Sequence, residues 1–162
     1  GLMGIEGPGS VFDTLVLGER RPRHWISGSN NFSRTLDFPA DAAETVTDQE
    51  LHLVLVYQAD GTTQLYRNGA AWGQSYRKGQ HTFPAGQSRI LLGLRHLPAG
   101  GNRGLRVEIA QARLYDFALT ARQAAEAAAG RVFGIGRKAL QQAMTDQQQQ
   151  QRTELESAVV ST

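Results

Sequence analysis

Residues 51–76 constrain the fold more than any other stretch of the chain. Leu51-His52-Leu53-Val54-Leu55-Val56-Tyr57 is apolar at nearly every position. A strand with one wet face would alternate apolar and polar residues. This one is therefore expected to be covered on both faces, with Leu53, Leu55 and Tyr57 on one side and Val54 and Val56 on the other. Asp60-Gly61 then supplies residues that tolerate the positive φ of a tight hairpin turn. Thr62-Thr63-Gln64-Leu65-Tyr66-Arg67 returns as a second strand, Asn68-Gly69 forms a second such turn, and Ala71-Trp72-Gly73-Gln74-Ser75-Tyr76 follows as a third strand. Each corner of this meander has a conformational reason.

Weaker versions of the same signal recur. Val11-Phe12-Asp13-Thr14-Leu15-Val16-Leu17, His24-Trp25-Ile26-Ser27 and Arg89-Ile90-Leu91-Leu92-Gly93-Leu94 read as strands. Residues 105–115 begin with Leu105, Val107 and Ile109 on one face. Seven or eight short strands, with 18 Gly and 40% hydrophobic residues among 162, predict an all-β chain of two antiparallel sheets. After Leu119 the composition shifts to Ala, Gln and Arg. The expected organisation is a sandwich over 1–119 and a helical connector over 120–162, of low complexity around 147–151. Thr120-Ala121-Arg122-Gln123 matches a capping box and Gly130 is placed to end that helix. Thr145-Asp146-Gln147-Gln148 is a second capping box, leading to a helix with Leu155 and Val159 at i,i+4 spacing.

Several function classes are disfavoured. The formal net charge of +2 lacks the strong basic face of a nucleic-acid binder, and the Arg20, Arg21, Arg23 cluster around Pro22 reads as a solvated loop. No apolar run approaches the roughly 20 residues of a membrane span. The absence of Cys removes disulfides, thiolate metal sites and cysteine nucleophiles. The start, Gly1-Leu2-Met3-Gly4, has neither an initiator Met nor a leader pattern, so the chain is expected to be a piece of a longer one. His24, His52, His81 and His96 are scattered, without metal-ligand spacing. A sugar hydrolase needs two carboxylates on one face; Glu108 stands alone in its segment, so no catalytic residue is assigned.

Sugar binding uses aromatic platforms beside amides and guanidinium groups. Trp25 with Asn30 and Asn31, Trp72 with Tyr76, and Asn102-Arg103 in a Gly-rich loop are the candidate ligand residues. A sandwich also buries most of its aromatics, which is the plain reading of Trp25 and Trp72. No cofactor is expected; Asn30, Asn31, Asp37 and Asn102 are the oxygen donors a calcium ion would find.

His52-Leu53-Val54-Leu55-Val56-Tyr57, Asp60-Gly61 and Leu65-Tyr66-Arg67-Asn68-Gly69 resemble the laminin G-like signature, in which a strand ending in Tyr leads through a turn to "LYVNG". Ile90-Leu91-Leu92-Gly93 is similar to the family's "L-x-I-G" strand, and residues 104–120 to its "F-x-G-x-I-D-E-V-R-I-Y-N-R-A-L-S". Phe12-Asp13, Gly18-Glu19-Arg20, Trp25, Gly28-Ser29, Phe32 and Arg34-Thr35 resemble the subgroup found in large bacterial proteins with c-type cytochrome domains. The resemblance covers about three quarters of the chain. It implies a concanavalin A-like jelly-roll sandwich acting as a non-catalytic binding or adhesion module of a secreted, extracytoplasmic protein. Its partners would be a carbohydrate or protein ligand and the other domains of the same polypeptide. A structural spacer is the alternative, and a glycan-cleaving enzyme a further one. The family's opening strand has no counterpart here, and its Asp-Glu pair is replaced by Ala110-Gln111. Without that strand, the segment within 105–115 is expected to leave an open edge, covered by residues 2–5, by a second copy or, preferably, by the Thr120 helix.

Overall fold

The computed structural model describes residues 1–99, 105 and 107–130. Eight strands, β1 (Met3–Glu6), β2 (Phe12–Leu17), β3 (Trp25–Ser29), β4 (Leu53–Tyr57), β5 (Thr62–Arg67), β6 (Ala70–Ala71), β7 (Tyr76–Arg77) and β8 (Arg89–Leu92), precede one helix, α1 (Ala121–Ala128). They form two antiparallel sheets. The first has the order β3-β2-β1-β8; in the second, β4 pairs β5, and β5 pairs both β6 and β7. This is the mostly-β, two-sheet architecture expected, with a C-terminal helix.

The meander is built as its residues dictate. Asp60 accepts hydrogen bonds from the Thr62 backbone N–H (2.9 Å) and hydroxyl (3.0 Å), holding the first turn. Asn68 (φ 50°) and Gly69 (φ 82°) occupy consecutive left-handed positions in the second. The two faces of β4 separate as expected. Leu53 and Leu55 pack into the inter-sheet core of Leu15, Trp25, Phe38, Leu65 and Tyr76. Val54 and Val56 face a second cluster with Tyr66, Leu119 and Ala124. Of the strand's five residues only Val56 is fully buried, because β4 is a sheet edge. The third strand is interrupted: β6 and β7 pair opposite ends of β5, and Gln74 N–H instead donates to Pro39 O (2.7 Å). Gly73 (φ 70°) makes the detour, and a Cβ there would stand 3.0 Å from both Phe38 Cβ and Pro39 O.

Three expectations are corrected. An N-terminal strand is present: Met3–Glu6 lies between β2 and β8, so the sandwich does not lack its opening on this side. The described residues within 105–115 form no strand, and Val107 and Ile109 are exposed. The Thr120 helix does not cover an edge within 105–115, since no strand forms there among the described residues; it lies over the outer face of the second sheet, where Ala125 approaches the Gly69 turn. Its capping box is formed, with Gln123 N–H donating to Thr120 Oγ1 (3.2 Å) and Thr120 N–H to Gln123 Oε1 (2.9 Å). Gly130 (φ 88°) follows its end, as expected. The second capping box and the Gln-rich stretch lie outside the described residues.

Candidate functional site

The segment 95–98 crosses the outer face of the first sheet and is fastened there at two points. Thr14 Oγ1 donates to Arg95 O (2.8 Å), and Leu97 N–H donates to Oε1 of buried Glu6 (3.0 Å). Between this segment and the turn Asn30–Phe32 opens a cleft of about 490 Å³. The His96 ring lies on Phe12, their centroids 5.0 Å apart and planes inclined by 31°. Arg95 forms an ion pair with Glu19, and its Nη2 donates to His96 Nε2 (2.9 Å).

The opposite wall is held by Arg34. Its Nη2 donates to Asn30 Oδ1 (2.9 Å) and Phe12 O (3.1 Å), and its Nε donates to Asp13 (3.1 Å). Burial pushes the Asp13 carboxyl up, and Arg34 only partly counters this. Asn31 (φ 51°) and Phe32 (φ 52°) stand in the left-handed region, which Asn tolerates and Phe rarely adopts. Such a backbone costs on the order of 1 kcal/mol and persists where its surroundings over-determine it. Here Thr35 N–H (3.3 Å) and Lys78 Nζ (3.2 Å) both donate to Phe32 O. The strained turn leaves Phe32 41% exposed at the lip of the cleft, with the Arg20 guanidinium 5.7 Å from its ring centroid.

Of the residues the sequence singles out for ligand contact, Asn30 and Asn31 line the cleft. Trp25, Trp72 and Tyr76 are brought together in the core between the sheets, away from it. Trp25 is 4% exposed and its Nε1 donates to Glu44 Oε2 (3.1 Å). Trp72 lies half-buried with the Arg67 guanidinium 4.8 Å from its ring centroid. Tyr76 is buried, its hydroxyl donating to Arg34 O (3.4 Å). The apolar area of large rings explains their place: it stabilises the fold most when withdrawn from water. Asn102 and Arg103 lie outside the described residues. Asp37 faces Arg20 (3.3 Å) and Arg21 (3.6 Å), so its carboxylate is engaged by guanidinium groups. The basic cluster lies in an exposed loop, as expected, and also makes contacts within the chain, Arg21 to Asp41 (2.5 Å) and Arg23 to Glu44 O (2.7 Å).

Phe12, Phe32, Glu19, Arg95 and His96 were not singled out as ligand residues. Asn30-Asn31 before Phe32 hints at a left-handed turn, but no sequence pattern separates an exposed Phe from a core one. The 95–98 segment meets β2 only through contacts some 80 residues apart, which no local motif encodes.

A family model described as the concanavalin A-like lectin/glucanases superfamily matches residues 7–125. Comparison with curated proteins and with solved structures gives no match.

Proposed function

The chain belongs to the concanavalin A-like lectin/glucanases superfamily, and on that premise we propose that it is a non-catalytic binding module whose cleft takes a carbohydrate. The parent would be a larger extracytoplasmic protein, of the bacterial kind its sequence resembles. The observation that carries this reading is the Phe32 ring, held exposed by a strained backbone beside the amides of Asn30 and Asn31. A flat apolar ring next to amide donors and acceptors suits the apolar face and hydroxyl rim of a sugar. Against hydrolysis stands the donor set: among the described residues lining the cleft, Glu19 is the one carboxylate, and it is ion-paired to Arg95. A glycosidase needs a second acid roughly 5–10 Å away.

A glycan array probed with the chain tests the proposal. Binding is expected, and Phe32→Ala should weaken it about tenfold, the worth of one stacking contact of ~1.4 kcal/mol, with the melting temperature unchanged. Absence of any bound glycan, or full binding by Phe32→Ala, would sink it. Polysaccharide cleavage lost in Glu19→Gln would overturn the non-catalytic part. A spacer without a ligand is favoured by one observation, that Glu19 and Asp13 are already ion-paired within the chain, to Arg95 and Arg34; an empty array would support it.

A further inference from the structure

The first sheet ends on β8, which pairs only with β1 among the described residues. Backbone groups of an antiparallel strand point alternately to its two neighbours. Gly7 N–H donates to Val11 O (2.8 Å), so the odd residues of β1 bond to β2 and the even ones face β8. Gly93 N–H donating to Leu2 O (2.8 Å) fits the same phase. Since Gly4 is opposite Leu91 and Glu6 opposite Arg89, those two residues of β8 turn inward to β1. Ile90 and Leu92 therefore direct both N–H and C=O outward, along the open edge. The two residues are 42% and 50% exposed. The registers Leu92–Met3–Leu15 and Ile90–Ile5–Asp13 put them on the sheet face that carries core residue Leu15, beyond the cover of the second sheet.

We propose that β8 pairs with β8 of a second copy of this chain, antiparallel, about a two-fold axis at Leu91. This register alone matches all that the edge offers. Ile90 of each copy stands opposite Leu92 of the other, so the four outward groups of each strand meet their complements in two hydrogen-bonded pairs. The same pairing sets Ile90 beside Leu92 on one face, twice over, and joins the two first sheets into one of eight strands. Arg89 falls opposite Gly93, which presents no side chain, and its guanidinium is already held by Glu6 of its own copy (3.0 Å). Sliding the strands to set Ile90 against Ile90 would pair Leu92 with Ser88, outside the strand. An isologous contact of this kind closes on itself and cannot propagate.

Sedimentation equilibrium of the 162-residue chain should show concentration-dependent dimers. Ile90→Pro removes an N–H that has no partner among the described residues, so it should abolish dimers while far-UV circular dichroism stays native. The chain has no Cys, which allows a register test. Leu91 pairs with itself at a non-hydrogen-bonded position with Cα atoms ~4.5 Å apart, within disulfide range. Leu91→Cys should oxidise to a dimer at least tenfold faster than Ile90→Cys, whose self-partner lies a diagonal step away. A monomer at all concentrations overturns the proposal. So do dimers that survive in folded Ile90→Pro, or equal cross-linking of the two cysteine variants, which would indicate another surface or an unrelated partner's strand.

Discussion

Glu44 binds more partners than any other carboxylate among the described residues. Its Oε1 accepts from Arg67 Nη2 (2.9 Å) and from the N–H groups of Thr45 and Val46 (3.1 Å each), and its Oε2 from Arg67 Nε (2.9 Å) and Trp25 Nε1 (3.1 Å). Arg67 in turn covers Trp72, so one partly buried ion pair holds both tryptophans of the core. The Arg67 hydrogen bonds, working against burial, lower the Glu44 carboxyl to about 2. An unfolded Glu titrates near 4.3. The depressed value means this stabilisation is complete above pH ~4.3 and is lost as pH falls through about 2. Asp13, raised chiefly by burial, acts in the opposite direction and favours the fold on acidification. Glu44→Gln leaves Arg67 without its counter-charge and should cost about 3 kcal/mol at pH 7. Urea melts at pH 7 and pH 2.5 should show that deficit shrinking at the lower pH. A deficit independent of pH would mean that charge is not what Glu44 contributes. None of this is legible in Ala42-Ala43-Glu44-Thr45-Val46, which carries no periodicity and whose partners lie some 20 residues away in either direction.

The second hairpin turn and the helix meet at Gly69. An added Cβ would lie 2.9 Å from Ala125 Cα and 3.3 Å from Ala128 Cβ, so the small residues of α1 let its backbone sit against the turn. Gly69→Ala should therefore carry two costs, about 1 kcal/mol for a left-handed φ and a further 1–2 kcal/mol for displacing the helix. Gly86→Ala is the control, since Gly86 (φ 72°) has nothing within 4 Å and carries the first cost alone. Thermal melts should separate the two by several degrees, and equal losses would mean the helix is not seated on the turn. Elements with local chemistry could be read from sequence: the Asp60-Gly61 and Asn68-Gly69 turns, the two-faced strand between 51 and 57, the Thr120 cap. Elements decided by distant neighbours could not. The strand expected over 71–76 breaks because Gly73 and Gln74 turn to the 38–41 loop, and alternation in 105–109 yields no strand among the described residues. Met3–Glu6 is short and Gly-containing, and it is a strand only because β2 and β8 flank it.

At the scale of the molecule, the two sheets are joined by polar contacts as well as by the apolar core. Tyr57 of β4 reaches Ser27 of β3 (O···O 2.7 Å), and Tyr76 of β7 donates to Arg34 O (3.4 Å) in the loop after β3. The superfamily and the sandwich could be read from the signature strands, whereas the cleft could not, because it forms where 95–98 and 30–32 converge over β2. The clasps were equally hidden, Tyr76 having been expected at a ligand face. Burial pushes both phenols above their ordinary range, with neighbouring Asp13 adding to the effect. An unfolded tyrosine ionises near pH 10. A raised folded value means the clasps contribute fully below pH 10, and that contribution is lost as pH rises beyond it. Absorbance at 295 nm should thus show Tyr57 and Tyr76 holding their protons until the sheets separate, in step with loss of the β-sheet circular dichroism signal. Tyr57→Phe should reduce that step and cost about 1 kcal/mol at pH 7, where Ser27 loses its partner. The deficit should narrow near pH 11.5, where wild type is weakened by the phenol that the variant lacks. Full ionisation of Tyr57 and Tyr76 near pH 10 with circular dichroism unchanged would show that these phenols are open to solvent and do not clasp the sheets.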